Sequence, residues 1–147
     1  QNRLSMSAYR RPESVLVVVY AASGEFLLIE RVRPAGFWQS VTGSLEWGEG
    51  VDEAARRELW EETAIQGGVL KNLQWVQTFD ILPQFGHAYA PGTARNREHA
   101  FACKLPAPCE VVLSPSEHVA HRWLPAAEAL QLAGSHTNRA VIEQLRR

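Results

Sequence analysis

The apolar residues of this chain follow a strand pattern first and a helix pattern later. A continuous β-branched run at residues 14–20 predicts a central strand buried on both faces. After a turn at residues 22–24, the apolar run at 26–29 predicts a second strand, and residues 37–42 predict a short third one. From residue 51 to residue 63, every fourth position is apolar, which predicts an amphipathic helix.

The second half of the chain repeats this order of strands and helices. Three more strands are predicted over residues 73–81, 99–105 and 118–124. The first two are separated by a stretch rich in Gly, Pro, Ala and Asn, residues 83–97, and a loop of that length is usually functional. Helices are predicted over residues 126–132 and 138–146, the second with Asn138 as its N-cap. The pattern indicates an α/β sandwich with a mixed sheet.

Length and composition indicate one globular domain. The chain has 147 residues, of which 46% are hydrophobic and 21% charged. We expect a domain over residues 9–147, preceded by a flexible leader or tag remnant at residues 1–8. No stretch approaches the roughly 20 apolar residues that a membrane span requires, so no membrane association is expected.

Charge and cysteine content narrow the function further. The net charge of −1 argues against a partner that is a nucleic-acid polymer. The two cysteines, Cys103 and Cys109, are too few for a disulfide framework and lack metal-ligand spacing. We therefore expect free thiols and a cytoplasmic protein.

Three glutamates share one face of the predicted helix at residues 51–63. Glu58, Glu61 and Glu62 stand at positions i, i+3 and i+4, which brings their carboxylates within reach of one another. Like charges at this spacing repel, so a cation must offset them. From the helix alone two interpretations stay open: a solvated face with ion pairs to Arg57, or a metal site.

The preceding loop favours the metal site. Residues 43–50 contain three glycines and two further acids, Glu46 and Glu49, which together with the three glutamates of the helix face make five carboxylates across the loop and one helix face. Mg²⁺ prefers oxygen ligands and keeps water and phosphate oxygens in its shell. Clusters of this kind serve metal-assisted phosphate chemistry. The cation would also supply the positive charge that a nearly neutral chain lacks for a polyanionic substrate.

Loop and helix together resemble the Nudix box, G-x5-E-x7-R-E-U-x-E-E-x-G-U, where U is a bulky aliphatic residue. The matching positions are Gly43, Glu49, Arg57, Glu58, Leu59, Glu61, Glu62 and Ile65. Ala64 departs from the pattern, since the family has glycine there, and alanine narrows the backbone freedom at the helix exit. The resemblance implies a Nudix-like αβα sandwich in which the box forms a loop-helix-loop, and cleavage of a phosphoric anhydride.

Roles for the box residues follow from the resemblance. It implies that Glu58 and Glu62 bind Mg²⁺, with Mn²⁺ as a possible substitute, and that Glu61 binds metal or positions water. It implies that Arg57 orients a glutamate, either Glu49 or Glu61, through a charge-assisted hydrogen bond.

Segments outside the box also carry a resemblance, at residues 9–12, 37–44, 89–92, 95–96, 117–118, 123–124, 138–139 and 142–144. They resemble those of family members that release pyrophosphate from a pterin triphosphate, an early step of folate synthesis. This likeness implies that Glu117, outside the box, joins the metal site or serves as the base. It also implies a set of substrate-binding residues: Arg10, Arg31, Thr42, Phe79, Asp80, Ile81, Leu82 and Ser135.

Several of these residues have plainer interpretations. Glu117 by itself would be a solvated loop residue, and Arg10 a surface charge. Phe79, Ile81 and Leu82 would serve core packing as readily as ring stacking.

Two rival functions also remain. The first is hydrolysis of a (deoxy)nucleoside triphosphate by the same metal site. The second is a Nudix-fold binding module without catalysis, which the intact Arg57-Glu58 and Glu61-Glu62 pairs disfavour.

Overall fold

The computed structural model of the chain describes residues 8–147. The leader expected at residues 1–8 therefore lies outside the described residues except for Ala8. The described part forms seven strands: β1 Glu13–Ala21, β2 Glu25–Arg31, β3 Trp38–Gln39, β4 Val41–Ser44, β5 Val69–Asp80, β6 Arg95–Leu105 and β7 His118–Pro125. Its three α-helices are α1 Val51–Thr63, α2 Ala126–Leu132 and α3 His136–Leu145, and a 3-10 helix spans Pro83–Ala88.

All seven strands belong to one mixed sheet with β1 at its centre. β6 pairs in parallel with the whole length of β1, from Glu13↔Arg97 to Ala21↔Leu105, and β5 pairs antiparallel with β6. On the other side β1 has two antiparallel partners: β2 at Tyr20↔Phe26, and β4 from Ser14↔Ser44 to Val17↔Val41. The sheet therefore forks along β1, and β2 leads outward to β3 and β7.

Alternate residues of β1 serve two separate cores. Val15, Val17 and Val19 pack with the apolar side of α1, whereas Leu16 and Val18 pack with α2 and α3. The β-branched run was predicted to be buried on both faces, and all five residues are at most 2% exposed. Helices thus cover both faces of the sheet, which confirms the predicted αβα sandwich.

Most predicted elements are present, with three corrections. α1 and α2 have the predicted limits, but residues 37–42 form two short strands rather than one. Residues 83–97 are not all loop, because a 3-10 helix spans Pro83–Ala88 and β6 begins at Arg95. Asn138 is not the N-cap of α3: Ser135 caps it, and its side chain accepts a hydrogen bond from the Asn138 backbone N–H at 3.1 Å.

Asn138 instead fastens α3 to the sheet. Its buried side-chain oxygen accepts from the Ser40 backbone N–H at 2.8 Å, and its Nδ2 donates to Ser40 Oγ at 2.9 Å. Within residues 8–147, no helix is long and apolar enough to cross a membrane.

Candidate active site

A cavity of about 840 Å³ opens beside β1, between the start of α3 and the carboxylate face of α1. Most of the predicted site residues line it: Arg10, Arg31, Thr42, Gly43, Arg57, Glu58, Glu62, Phe79, Asp80, Ile81, Leu82, Glu117 and Ser135. Glu49 and Glu61 do not. The fold therefore joins residues from both ends of the sequence around the box motif, although they are far apart along the chain.

Packing of α1 fixes two glutamates at the cavity wall. Ala54, Ala55 and Leu59 bury the opposite side of the helix in the core, so the helix cannot rotate. Glu58 is 9% exposed and Glu62 is 1% exposed, although carboxylates are rarely buried to this extent.

Gly43 makes room for one of these carboxylates. A Cβ built on Gly43 would overlap the carboxylate of Glu58. The glycine is therefore needed for its missing side chain, since its φ lies outside the left-handed region.

Like charges and burial make the pair of Glu58 and Glu62 electrostatically unfavourable. Burial, together with the neighbouring Glu58 and Glu117 carboxylates, raises the pKa of Glu62 to about 10. Burial also raises the pKa of Glu58. Glu62 accepts a hydrogen bond from the Thr42 backbone, but its Oε1 has no partner within residues 8–147.

His118 does not supply the compensating charge. Its Nε2 lies 3.8 Å from Glu62 Oε1. Burial lowers the pKa of His118, and the Arg31 guanidinium lowers it further, so the ring is neutral at pH 7. Among residues 8–147, Glu58 pairs with the Arg57 guanidinium at 3.1 Å, but Glu62 has no charged cation beside it.

These donors fit a Mg²⁺ ion. Among residues 8–147 no three His, Cys, Asp or Glu side chains converge into a complete metal cage. Mg²⁺ does not need one, because it binds through one or two carboxylates together with water and substrate phosphates. Glu58 and Glu62, with Glu117 close enough to raise the pKa of Glu62, provide that kind of partial site.

Arg57 connects the loop before α1 to the helix. Its Nε and Nη2 donate to the two carboxylate oxygens of Glu49 at 2.7 and 2.9 Å, and Nη2 also reaches the Ser44 carbonyl at 3.1 Å. Its Nη1 donates to Glu58 and to Glu61, each at 3.1 Å. Arg57 therefore contacts both of the acids expected from the sequence, and it holds the pKa of Glu49 below its usual value.

The five carboxylates do not form the single cluster that their spacing indicated. Glu49 is occupied by Arg57, and the side chain of Glu61 is 51% exposed on the outer side of the helix. Glu46 lines the cavity but is exposed. Glu61 shares the Nη1 of Arg57 with Glu58, but unlike the two buried acids it does not line the cavity.

Two arginines and a threonine border the same cavity. Arg31 is exposed and is steadied by its Nε, which donates to the Arg33 carbonyl at 2.7 Å. The guanidinium of Arg10 lies 5.9 Å from the centre of the Tyr89 ring. Thr42 has no free donor, since its hydroxyl donates to the Val15 carbonyl at 2.8 Å and its backbone N–H to Glu62.

The segment after β5 lines the other end of the cavity. Phe79, Ile81 and Leu82 lie outside both hydrophobic cores of the described chain, which disfavours the core-packing interpretation. Asp80 is largely exposed and pairs with Arg95 at 3.7 Å. Phe85, from the 3-10 helix, adds an exposed aromatic ring to this wall.

Two residues of the site, Arg11 and Glu98, were not identified from the sequence. Arg11 donates from Nη1 to the carbonyls of Glu46 and Glu49 at 2.9 and 3.0 Å, and so ties the box loop to the start of β1. Glu98 is buried and lines the cavity. No local pattern pointed to Glu98, because it stands in a run of polar residues, 95–99, between the predicted loop at 83–97 and the predicted strand at 99–105.

Comparisons with known proteins agree with this geometry. The family model described as NUDIX domain matches residues 10–145. Dihydroneopterin triphosphate diphosphatase from Escherichia coli K12 is 42% identical over 141 residues, covering 92% of this chain and 93% of the relative. The Haemophilus influenzae protein of the same name is 34% identical over 144 residues, covering 95% and 90%.

The solved structure of the E. coli dihydroneopterin triphosphate pyrophosphohydrolase is similar along its whole length. It has a TM-score of 0.85 and 42% sequence identity, and the match covers 93% of this chain and 96% of that one.

Proposed function

This chain belongs to the NUDIX family, and we propose that it hydrolyses dihydroneopterin triphosphate to dihydroneopterin monophosphate and pyrophosphate. Enzymes of this family generally need divalent metal ions and act on small phosphorylated substrates. One observation carries the proposal: a single cavity joins the buried box acids to the flanking residues expected to bind a pterin triphosphate.

We assign Mg²⁺ to Glu58 and Glu62, with Glu117 as a third donor. When bound, the ion neutralises the diphosphate and lowers the pKa of a coordinated water. The raised pKa of Glu62 supports this assignment, because a site with excess negative charge is ready for a divalent cation. Mn²⁺, which accepts the same oxygen donors, would substitute.

The protein's own contribution is to hold these acids in place. Arg57 fixes the Glu58 carboxylate and the box loop together, and Gly43 lets that carboxylate lie against β4. Glu117 is held through its backbone, whose carbonyl accepts from the Val32 N–H at 2.8 Å. The alternative role for Glu117, if its carboxylate is not bound to the metal, is to accept a proton from the attacking water.

The rest of the cavity suits a substrate with one charged and one flat end. Arg31 and Arg10 are the cationic groups on its rim, and guanidinium groups bind phosphate oxygens well. Phe79, Ile81, Leu82 and Ser135 lie on the walls available to the ring. We place the protein in the cytoplasm, because the thiols of Cys103 and Cys109 are free and the cytoplasm keeps thiols reduced.

Product analysis tests the proposed function. The purified protein is incubated with dihydroneopterin triphosphate and Mg²⁺, and pyrophosphate and inorganic phosphate are measured separately. We expect pyrophosphate and dihydroneopterin monophosphate in equal amounts, with no reaction in excess chelator. A kcat/KM for dATP or 8-oxo-dGTP well above that for the pterin substrate would overturn the substrate assignment.

A further inference from the structure

A buried acid on the far wall of the cavity has no role in metal binding. Glu98 lies on β6 and is 6% exposed, yet it lines the cavity. Pairing across the sheet places it in a polar row, Ser44, Ser14, Glu98 and Gln77, on the side of the sheet that faces α3. Gln77 confirms that direction, since its Nε2 donates to the Thr137 carbonyl at 3.0 Å.

One oxygen of Glu98 is left without a partner. Thr137 hydrogen-bonds to the carboxyl group, but Oε1 has no partner within residues 8–147. Nearby buried polar groups are satisfied: Asn96 donates to Ser14 Oγ at 2.8 Å, and Asn138 bonds to Ser40. An unpaired buried carboxylate oxygen costs stability, and burial accordingly raises the pKa of Glu98.

We propose that Glu98 is a specificity-determining residue whose carboxylate accepts two adjacent N–H groups from the substrate ring. This inference rests on the proposed function for the identity of the substrate, but the chemistry extends to any ring with the same edge. The 2-amino-4-oxo pyrimidine edge, shared by pterins and guanine, carries a ring N–H beside an amino N–H. Adenine carries an acceptor beside its amino group, so it offers one donor only.

The position of Glu98 agrees with a role in binding the ring and not the phosphates. Gly43 and Glu58 lie where α1 contacts the sheet. Glu98 lies on the side of the sheet that faces α3, where β6 pairs it with Ser14 of β1. A substrate lying across β1 would have its phosphates at the box and its ring at Glu98. Ring donors would then satisfy the free oxygen and favour the ionised carboxylate.

The first test uses the unmodified protein and alters the substrate. dITP lacks the 2-amino group of dGTP and is otherwise the same, so the comparison removes a single N–H donor. We expect kcat/KM for dGTP to exceed that for dITP by about tenfold or more. Equal kcat/KM values would overturn the proposal, and no variant needs to fold for this result.

The second test combines the substrate pair with Glu98→Gln, which replaces one acceptor oxygen by a donor at nearly constant shape. In this variant we expect the dGTP to dITP ratio to approach one, and the dihydroneopterin triphosphate to dATP ratio to fall about 10- to 100-fold. Glu110→Gln, which changes an exposed acid outside the cavity, should keep both wild-type ratios. A parallel loss on every substrate would indicate a structural role and overturn the inference.

These outcomes are separable from the proposed function. If dihydroneopterin triphosphate is a poor substrate but the dGTP to dITP ratio depends on Glu98, the substrate assignment fails and the role of Glu98 stands. If the pterin substrate is preferred and that preference survives Glu98→Gln, the role of Glu98 fails alone.

Discussion

The carboxylate of Glu58 occupies the space that a side chain on Gly43 would fill. The first position of the box motif is thus a steric requirement, since Gly43 has no left-handed backbone conformation. Because β4 carries Gly43 and α1 carries Glu58, this contact sets how closely the helix approaches the edge of the sheet.

Gly43→Ala should impair catalysis more than folding. The new methyl group would push the Glu58 carboxylate out of position, and a displacement of about 1 Å can cost 100-fold in rate. We expect kcat to fall about 10- to 100-fold, measured as pyrophosphate release at saturating Mg²⁺. Gly50→Ala is the matched control, because its Cβ would meet only Glu53 at 3.8 Å and its φ is −79°. An equal loss in both variants would contradict the steric explanation.

Glu62→Gln and Glu61→Gln should lower kcat to different extents. Glu62 lies buried at the cavity and Glu61 on the exposed side of α1. We expect Glu62→Gln to lower kcat by about 100-fold or more, since metal stabilisation of the transition state amounts to several kcal/mol. Glu61→Gln should lose less than about tenfold.

Thermal unfolding with and without Mg²⁺ checks the metal assignment independently of activity. At a concentration about 100 times the Kd, a ligand stabilises by about 2.7 kcal/mol, which corresponds to a rise in Tm of roughly 5–10 °C for a domain of this size. The wild-type protein and Glu61→Gln should show this rise. If Glu62→Gln keeps the full rise, Glu62 is not a metal donor.

Ala64→Gly should stabilise the fold. Ala64 ends α1 with φ 59° and ψ 20°, a left-handed conformation that costs a residue with a Cβ about 1–2 kcal/mol. Part of that gain is lost to the greater freedom of glycine in the unfolded chain, so we expect about 0.5–1 kcal/mol by urea denaturation. Ala127→Gly, at an exposed position inside α2, should change stability in the opposite direction by a similar amount.

The titration of Glu98 should make the metal-free protein less stable as pH rises. Burial raises its folded pKa above the usual value of 4.5, so the folded state binds more protons than the unfolded state above that pH. The free energy of unfolding therefore falls from about pH 4.5 upward until the raised pKa is passed. Below pH 4.5 the group is protonated in both states, and this pH dependence disappears.

Urea denaturation of the wild-type protein and Glu98→Gln in EDTA, from pH 5 to pH 8, measures that contribution. The stability of the variant relative to the wild type should rise with pH, by up to about 1.4 kcal/mol per unit. Metal-site acids contribute equally to both proteins and cancel in the difference. A difference that is constant across this range would contradict the buried, unpaired state of Glu98.

Local patterns account for most of the fold that was predicted. The β-branched run of β1, the four-residue period of α1 and Pro125 before α2 each depend on residues close in sequence. The prediction of Asn138 as the N-cap of α3 was wrong, because its side chain bonds instead to Ser40, 98 residues earlier in the chain. No local pattern contains that partner.

The candidate site divides along the same line. The shared helix face of Glu58, Glu61 and Glu62 follows from helical spacing, but which of these acids line the cavity depends on how α1 packs. The environment of Glu98 depends on the pairing of β6 with β1 and β5, and a lone Glu just before the predicted strand at 99–105 gave no sign of it.

The separation of the two faces of β1 has a consequence for how substrate range can change. One strand presents its two sides to different tasks: Val15 and Val17 support the helix that carries the metal acids, and Ser14 belongs to the row that contains Glu98. Replacing a side chain in that row leaves the packing of α1 untouched. We therefore expect the choice of ring to be altered by substitution without rebuilding the machinery that cleaves the phosphates.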